Sequence, residues 1–420
     1  MVPLFIRDPR LLDPARTAAR RIDRLATALV HLDRALREAG GRLIVRDGLP
    51  HEVIPAVAHE VGAATVHAAR DLNPFGQRRD AAVAALVDLR LHPGQLIVEP
   101  EAIGEMRVFG AFHRRWLAAP GRPAVDAPRR IRVPDGIAGE SLPALAAGLE
   151  ATPDPLAVAR AYATGPAADY ARDRDRLDLD AGSRLSADLH FGTISARRLA
   201  EIVPVEAFRR QLAWRDWAHH LLWWHPDSAG LAWQPRLRNV EWRTDPAGLA
   251  TWQKGETGFP TVDAAMRQLG AEGWIANRAR LISASFLTKE LFLDWRVGAA
   301  YYLRTLIDGD VANNACNWQW IAGVGTDPAP WFRVLDPTRQ GERFDPSGAW
   351  VRRWLPELAG VPDAFIHRPW AAPSGPPTGY PARIVDRAAA RERAFARFRA
   401  ASSSPLAMTA PSAGYDGHQQ

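Results

Sequence analysis

The first hundred residues alternate short apolar segments with amphipathic ones, and this alternation restricts the possible folds more than any other feature of the sequence. It predicts strands over residues 2–6, 42–46 and 64–68 and another strand within 89–98, separated by helices over 15–39, 51–62 and 77–88. In the first helix, apolar residues recur at helical spacing from Ile22 to Leu36. Because strands that alternate with helices form parallel sheets, we expect a doubly wound, Rossmann-like α/β domain over residues 1–118.

The remainder of the chain has a different character. Residues 119–155 carry many Pro and Gly residues and are expected to form a connector. Helical periodicity dominates over residues 156–400, with a good helix predicted over 273–291. Residues 401–420 are rich in Ser, Ala and Gly, and we expect a disordered tail there. Fifteen of the 16 tryptophans follow residue 210, which also indicates two halves with different chemistry.

The composition limits the kinds of partner and site. There are 53 Lys and Arg residues against 47 Asp and Glu residues, a formal charge of +6 that suits a polyanion such as DNA without requiring one. A single cysteine, Cys316, excludes a disulfide framework and any all-cysteine zinc or iron–sulfur site within one chain. No apolar run approaches the roughly 18–20 residues that cross a membrane. We therefore expect a cytoplasmic protein, monomeric and without a metal site.

Several motifs follow one another in a specific order and spacing between Tyr170 and Pro362. They are GSRLS at 182–186, FGTIS at 191–195, QLAWRD at 211–216, WQKGETGFPTVDAAMR at 252–267, SFLTKELFLDWR at 285–296 and LIDGDVANNACNWQW at 306–320. Together they resemble the DNA photolyase/cryptochrome family, and most closely its bacterial cyclobutane pyrimidine dimer photolyases. Residues 2–12 and 72–76 match the family more loosely. The resemblance implies an N-terminal antenna domain and a C-terminal helical domain that binds FAD.

The start of the chain departs from the family pattern. Family members open with a strand and a Trp-Phe-Arg-Arg-Asp-Leu-Arg-like segment before the strand that residues 2–6 resemble. We therefore expect the α/β domain to lack its first strand, with Met1 as a misassigned start or a truncation. A second, light-harvesting chromophore, a folate or a deazaflavin, is an open expectation.

The resemblance implies a set of flavin contacts. On the phosphate-facing side they are Tyr170, Arg174, Ser183, Arg184, Leu185 and Ser186. Around the isoalloxazine ring they are Arg280, Asp308, Asp310 and Asn314, with Asn314 facing the flavin N5. Taken alone, the residues SRLS are more typical of a helix N-cap, and DGD of a surface turn. Gly182 stands where the family usually has Thr.

Three tryptophans match the chain of indole rings that carries electrons from the surface to the photoexcited flavin. They are Trp318, Trp295 and Trp242. Packing is the alternative explanation for any one tryptophan in a helical core.

The resemblance also implies a lesion pocket. Trp214 and Trp320 match the rings that stack on a thymine dimer, Asn277 matches a polar contact, and Arg215, Arg278 and Arg333 match basic positions near the DNA backbone. Gln211 stands where dimer photolyases usually have Glu, and Leu281 stands where many have Met. Ala276 and Asn277 replace the His pair typical of (6-4) photolyases, which disfavours that class.

These features predict blue-light-dependent repair of cyclobutane pyrimidine dimers by electron transfer from reduced FAD. Gln211 and Asn277 would bond the dimer carbonyls, and Asn314 would support the flavin. Two alternatives remain open at this stage: a cryptochrome-type photoreceptor without repair activity, and a DNA-binding flavoprotein that has lost its photochemistry.

Overall fold

A computed structural model describes residues 1–14, 17–122, 125, 127–143, 152–326 and 333–403. The chain forms two compact units. The first comprises Met1–Gly165, Ser183–Pro226 and Ile307–Gly309, and the second comprises Pro166–Gly182, Asp227–Leu306 and Asp310–Gln420. These limits differ from the predicted domain limits, because residues 183–226 group with the N-terminal part of the chain. The predicted 1–118, 119–155 and 156–400 division stays a prediction.

Four short strands lie in the first unit. They are β1 (Leu4–Arg7), β2 (Ile44–Asp47), β3 (Val66–Ala69) and β4 (Leu89–His92). β1 pairs in parallel with β2, and β3 in parallel with β4, as two separate sheets. The predicted parallel α/β arrangement is therefore confirmed, whereas the missing first strand stays a prediction. β4 lies within the segment 89–98 that is predicted to hold a strand, and it ends where Pro93 and Gly94 follow it.

Helices of the first unit lie both among its strands along the chain and within residues 183–226. They are α1 (Ala19–Glu38), α2 (Pro50–Glu60), α3 (Pro74–Ala84), α4 (Pro100–Ile103), α5 (Phe109–Ala118), α6 (Pro155–Ala163), α8 (Ser186–Phe191), α9 (Ala196–Ile202) and α10 (Glu206–Trp224). α3 begins three residues before its prediction because Asn73 caps it, accepting a hydrogen bond from Gly76 N (2.9 Å). The part of the expected connector at 127–143 contains no helix or strand.

The second unit is helical, as predicted. It contains α7 (Tyr170–Asp173), α11 (Pro246–Lys254), α12 (Pro260–Glu272), α13 (Asn277–Ser285), α14 (Trp295–Thr305), α15 (Val311–Ala322), α16 (Pro337–Phe344), α17 (Ala349–Trp354) and α18 (Arg387–Ser403). The helix predicted over 273–291 is present but begins at Asn277 and ends in a π-helical turn. Gly273 ends α12 in the left-handed conformation (φ 66°), and α13 runs into a π-helical turn at Phe286–Glu290. Residues 404–420 of the expected disordered tail lie outside the described residues.

A buried carboxylate organises the core of the second unit. Asp263 on α12 is 0% exposed and accepts hydrogen bonds from Thr257 N (2.7 Å), Thr257 Oγ1 (2.6 Å), Gly258 N (3.0 Å) and the Tyr380 hydroxyl (2.8 Å). A buried carboxylate is tolerated only when its oxygens are bonded in this way. The loop before α12 and the segment at Tyr380 are thereby fixed to one helix.

Helix α10 plays the corresponding part in the first unit. Ten of its residues are buried, on all sides of the helix: Phe208, Leu212, Ala213, Asp216, Trp217, Ala218, His219, His220, Leu221 and Leu222. The His220 imidazole Nε2 lies 2.8 Å from the Val98 carbonyl oxygen, and its ring meets Phe112 edge-on (4.9 Å). Among the described residues, no helix has the length and apolar character needed to cross a bilayer.

The burial of His220 predicts acid sensitivity. Desolvation lowers the pKa of His220 to about 4, below the 6.5 of an exposed histidine. Between these values the unfolded chain binds a proton that the folded chain does not, so stability is complete above pH 6.5 and falls on acidification. At pH 5 the loss due to this residue should be about 2 kcal/mol.

The measurement compares wild type with His220→Leu by urea unfolding at pH 7 and pH 5. His220→Leu should lose less stability than wild type over this interval, and His31→Leu, at a half-exposed position on α1, should lose as much as wild type. Equal losses in wild type and His220→Leu would contradict the assignment.

Candidate functional site

Helix α10 carries three of the predicted site residues, Gln211, Trp214 and Arg215, within a little more than one turn. This spacing places Gln211 on the same side of the helix as Trp214 and Arg215. Gln211 and Trp214 are half-buried. The Trp214 ring stacks face to face on Phe109 of α5, with the centroids 3.5 Å apart and the planes at 9°. One face of Trp214 is therefore occupied by the protein itself.

Arg215 is bonded inside the first unit. Its Nη1 donates to the Gln95 carbonyl (2.9 Å) and lies 3.6 Å from Asp216 Oδ1, and its side chain is only 14% exposed. The guanidinium thus orients the loop at Gln95 in this structure. Contact between Arg215 and DNA phosphate stays a prediction.

The GSRLS motif forms a strained turn before α8. Arg184 has φ 54°, one of two described non-glycine residues with a positive φ. Ser183 Oγ accepts a hydrogen bond from Leu185 N (3.4 Å), and Leu185, which lacks a capping side chain, precedes the first helical residue, Ser186. Ser186 is therefore not the helix N-cap that the isolated motif suggests. Left-handed backbone at a non-glycine residue is typical of functional sites.

The loop at Asp308 is held by a contact that the sequence did not indicate. Asp308 is 8% exposed. The neighbouring Gly309 carbonyl accepts a hydrogen bond from Arg21 Nη2 (2.6 Å), and the same Nη2 lies 2.9 Å from His190 Nε2. Because a guanidinium only donates, the imidazole must accept at Nε2. Arg21 lies on the amphipathic helix α1, where an arginine looks like an ordinary surface charge.

In the second unit, Asp310 and Asn314 lie in the first turn of α15. Asp310 is the N-cap: its Oδ1 accepts from Asn313 N (2.7 Å) and Asn313 Nδ2 (2.8 Å). Asn314 Nδ2 donates to the Ala299 carbonyl of α14 (2.9 Å). That bond fixes the orientation of the Asn314 amide without using its oxygen.

The predicted residues on α13 differ in their surroundings. Asn277 is exposed, and Leu281 is half-buried. Arg278 Nη2 forms an ion pair with Asp175 (2.7 Å), and its guanidinium lies 4.4 Å from the centre of the Phe344 ring. Arg280 Nε donates to the Ile275 carbonyl (3.0 Å). Only Asn277 of this set therefore stands open to solvent.

Two further pairs of predicted residues lie together in the second unit. The Arg333 guanidinium lies 5.8 Å from the centre of the half-buried Trp320 ring. Arg174 lies 5.8 Å from the Tyr170 ring, and burial raises the pKa of the Tyr170 hydroxyl. Each pair combines a planar ring with a cation, which suits stacking and anion recognition.

The three tryptophans of the predicted electron path differ in exposure. Trp318 is 2% exposed and Trp295 is 3% exposed, whereas Trp242 is partly exposed and meets Phe292 (5.0 Å) and Phe398 (5.7 Å). This gradient from buried to partly exposed is the one that a path to the surface requires. Trp318 also lies edge-on to Tyr302 (5.0 Å), a residue that sequence reasoning did not single out.

Each unit by itself carries groups of the kind that a flavin dinucleotide binds. In the first unit, Ser183 and Ser186 supply hydroxyls that suit a phosphate. In the second unit, Arg174 supplies a cation and Asn314 an oriented amide. In the part of the chain that the structure describes, no group of three or more His, Cys, Asp or Glu residues is placed to hold a metal ion.

Comparison with known proteins gives a consistent picture. Residues 1–129 match the DNA photolyase family model, and residues 208–400 match the model of the FAD binding domain of DNA photolyase. The deoxyribodipyrimidine photo-lyase of Streptomyces griseus is 44% identical over an alignment 429 residues long, which covers 95% of this chain and 93% of that protein. A deoxyribodipyrimidine photo-lyase of Thermus thermophilus is 40% identical, over 77% of this chain and 80% of that protein.

Solved structures agree with these sequence matches. A class III photolyase from Agrobacterium tumefaciens has a TM-score of 0.88 at 32% identity, covering 96% of this chain and 92% of that one. A cryptochrome from Synechocystis has a TM-score of 0.83 at 26% identity, covering 94% of this chain and 92% of that one. The predicted family, the fold and the FAD-binding domain are confirmed, and the chain belongs to the DNA photolyase family.

Proposed function

We propose that this chain repairs cyclobutane pyrimidine dimers in DNA in a blue-light-dependent reaction driven by electron transfer from reduced FAD. The observation that carries the proposal is the 44% identity, over 95% of the chain, to a protein named deoxyribodipyrimidine photo-lyase. The site residues support it, because an indole on a rigid helix and two amide side chains are suited to a neutral lesion with apolar faces and carbonyl edges.

The cofactor would be held by the residues that match the flavin contacts of the family. Tyr170, Arg174 and residues 183–186 would bind the phosphates, and Arg280, Asp308, Asp310 and Asn314 would line the ring. When bound and reduced, FAD supplies the light-absorbing electron donor. The amide of Asn314 keeps its direction because Ala299 accepts one of its N–H groups (2.9 Å).

The lesion would be bound by stacking and by hydrogen bonds. Trp214 and Trp320 would stack on the bases, Leu281 would contact them, and Arg278 and Arg333 would contribute charge near the DNA backbone. Gln211 would donate an N–H to a base carbonyl at any pH, since an amide needs no proton uptake to donate. Asn277, which is exposed, would do the same from α13.

A cryptochrome-type photoreceptor is the second candidate. Gln211 in place of Glu and the TM-score of 0.83 to the Synechocystis cryptochrome favour it. Both functions need the flavin and the tryptophan path. They differ only in whether illumination changes the DNA.

A repair assay separates the two functions. Purified, chemically reduced protein with bound FAD is illuminated with an oligonucleotide that contains one thymine dimer, and we expect intact thymines to be restored. The dark sample and a Trp214→Ala/Trp320→Ala variant should leave the dimer in place. Dimers that persist under light in wild type, with FAD bound, would contradict the repair function and favour the photoreceptor.

A glycine on α14 tests the electron path. A Cβ atom at Gly298 would overlap the Trp318 ring and Leu287, whereas Gly270, which is exposed on α12, has open space around it. Gly298→Ala should therefore displace Trp318, slow flavin photoreduction at least about tenfold and cost about 1–3 kcal/mol of stability. Trp318→Phe should abolish photoreduction along this path.

Gly270→Ala is the matched control. It should leave the rate of photoreduction unchanged and raise stability by up to about 1 kcal/mol, since Ala is the better helix former. Rates are measured by flavin absorbance under continuous blue light. Wild-type rates in both Gly298→Ala and Trp318→Phe would show that electrons reach the flavin by another route.

A further inference from the structure

The ring of Trp214 is fixed by its neighbours on one face and one edge. Phe109, which is 3% exposed, covers the face at 3.5 Å and 9°. Trp217, one turn along α10, meets the Trp214 ring edge-on (5.2 Å, 81°) and also the Phe109 ring (5.8 Å, 72°). Trp217 is itself fixed, because its Nε1 donates to the Met106 carbonyl (2.8 Å). One face and one edge of the Trp214 ring are therefore held by the protein, and the residue is half-buried.

The stack continues along α5 beyond Phe109. His113 lies nearly parallel to Phe109 (5.4 Å, 19°) and to Trp116 (6.1 Å, 19°). Trp116 ends the stack, and its Nε1 donates to Asp216 Oδ2 (3.0 Å). Because Asp216 lies two residues after Trp214 on α10, both ends of the ring stack are attached to the same helix.

We propose that Phe109 is a positioning residue for lesion binding: it holds the Trp214 indole in one orientation and leaves a single face for the damaged base. This inference rests on the proposed repair function. A tryptophan that was free to change rotamer would lose side-chain entropy when a base stacked on it. A ring that is already stacked has lost that entropy during folding, so affinity for the lesion is higher.

The test is a double-mutant cycle on affinity for dimer-containing DNA. Phe109→Leu keeps an apolar side chain but removes the flat surface, and it should weaken binding roughly three- to tenfold in the wild-type background. In the Trp214→Ala background the same change should have no further effect, since there is no indole left to orient. Phe109→Tyr, which keeps the aromatic plane, should restore most of the affinity.

Phe112→Leu is the matched control for packing. Phe112 lies on the same helix and is 0% exposed, but its ring packs on Phe109 and His220 rather than on Trp214. It should retain wild-type affinity for the dimer at a similar cost in thermal stability. Flavin photoreduction, which does not involve Trp214, should be unchanged in both variants.

The outcomes separate this inference from the proposed function. Wild type that neither binds nor repairs the dimer would refute the function. Two results in a wild type that repairs would refute the positioning role alone. One is an affinity of Phe109→Leu for the dimer equal to that of wild type. The other is the same loss of affinity on Phe109→Leu whether or not Trp214 is present. A loss of affinity on Phe109→Leu that occurs only when Trp214 is present supports the positioning role.

Discussion

The carboxylate of Asp216 has no exposure to solvent and accepts three hydrogen bonds through one oxygen, from Ile97 N (2.9 Å), Val98 N (3.1 Å) and Trp116 Nε1 (3.0 Å). Burial raises the pKa of this carboxyl, and the charge of Arg215 and the hydrogen bonds from Trp116 and Val98 only partly offset that effect. Replacing Asp216 with Ala would leave these buried donors without an acceptor. The loop before α4, the helix α5 and the helix α10 therefore take their positions in the first unit from one side chain. Trp214 and Gln211 lie on α10, so their positions in the first unit depend on the same carboxylate.

In the second unit, the main constraint is the close packing of aromatic rings around Trp318. Its large rings pack closely, and tightly packed cores tolerate little overlap. Gly298 of α14 leaves the space that Trp318 of α15 fills. Asp310 caps the start of α15, and Asn314 in its first turn donates to the Ala299 carbonyl. A small residue and a helix cap thus determine the geometry that the proposed flavin chemistry requires.

The motifs and the family could be predicted from the sequence because they depend on residue order alone. Helix limits were less predictable, as at 273–291, because the Gly273 cap competes with a continuous apolar pattern. Arg21, His190 and Phe109 were not found, since each acts through contacts about 100 or more residues away, or across helices, that no local pattern records. The internal partners of Arg215 and Arg278 were equally invisible, because an arginine in a motif does not show which acceptor it will meet.

The central proposal is that the face of Trp214 opposite Phe109 receives the lesion, and a crystal structure of the FAD-loaded protein with a dimer-containing duplex tests it most directly. We expect a dimer turned out of the duplex, with one base against the Trp214 face opposite Phe109 and a carbonyl within hydrogen-bond distance of the Gln211 amide. A dimer that stays stacked in the duplex, or that binds away from Trp214, would contradict it.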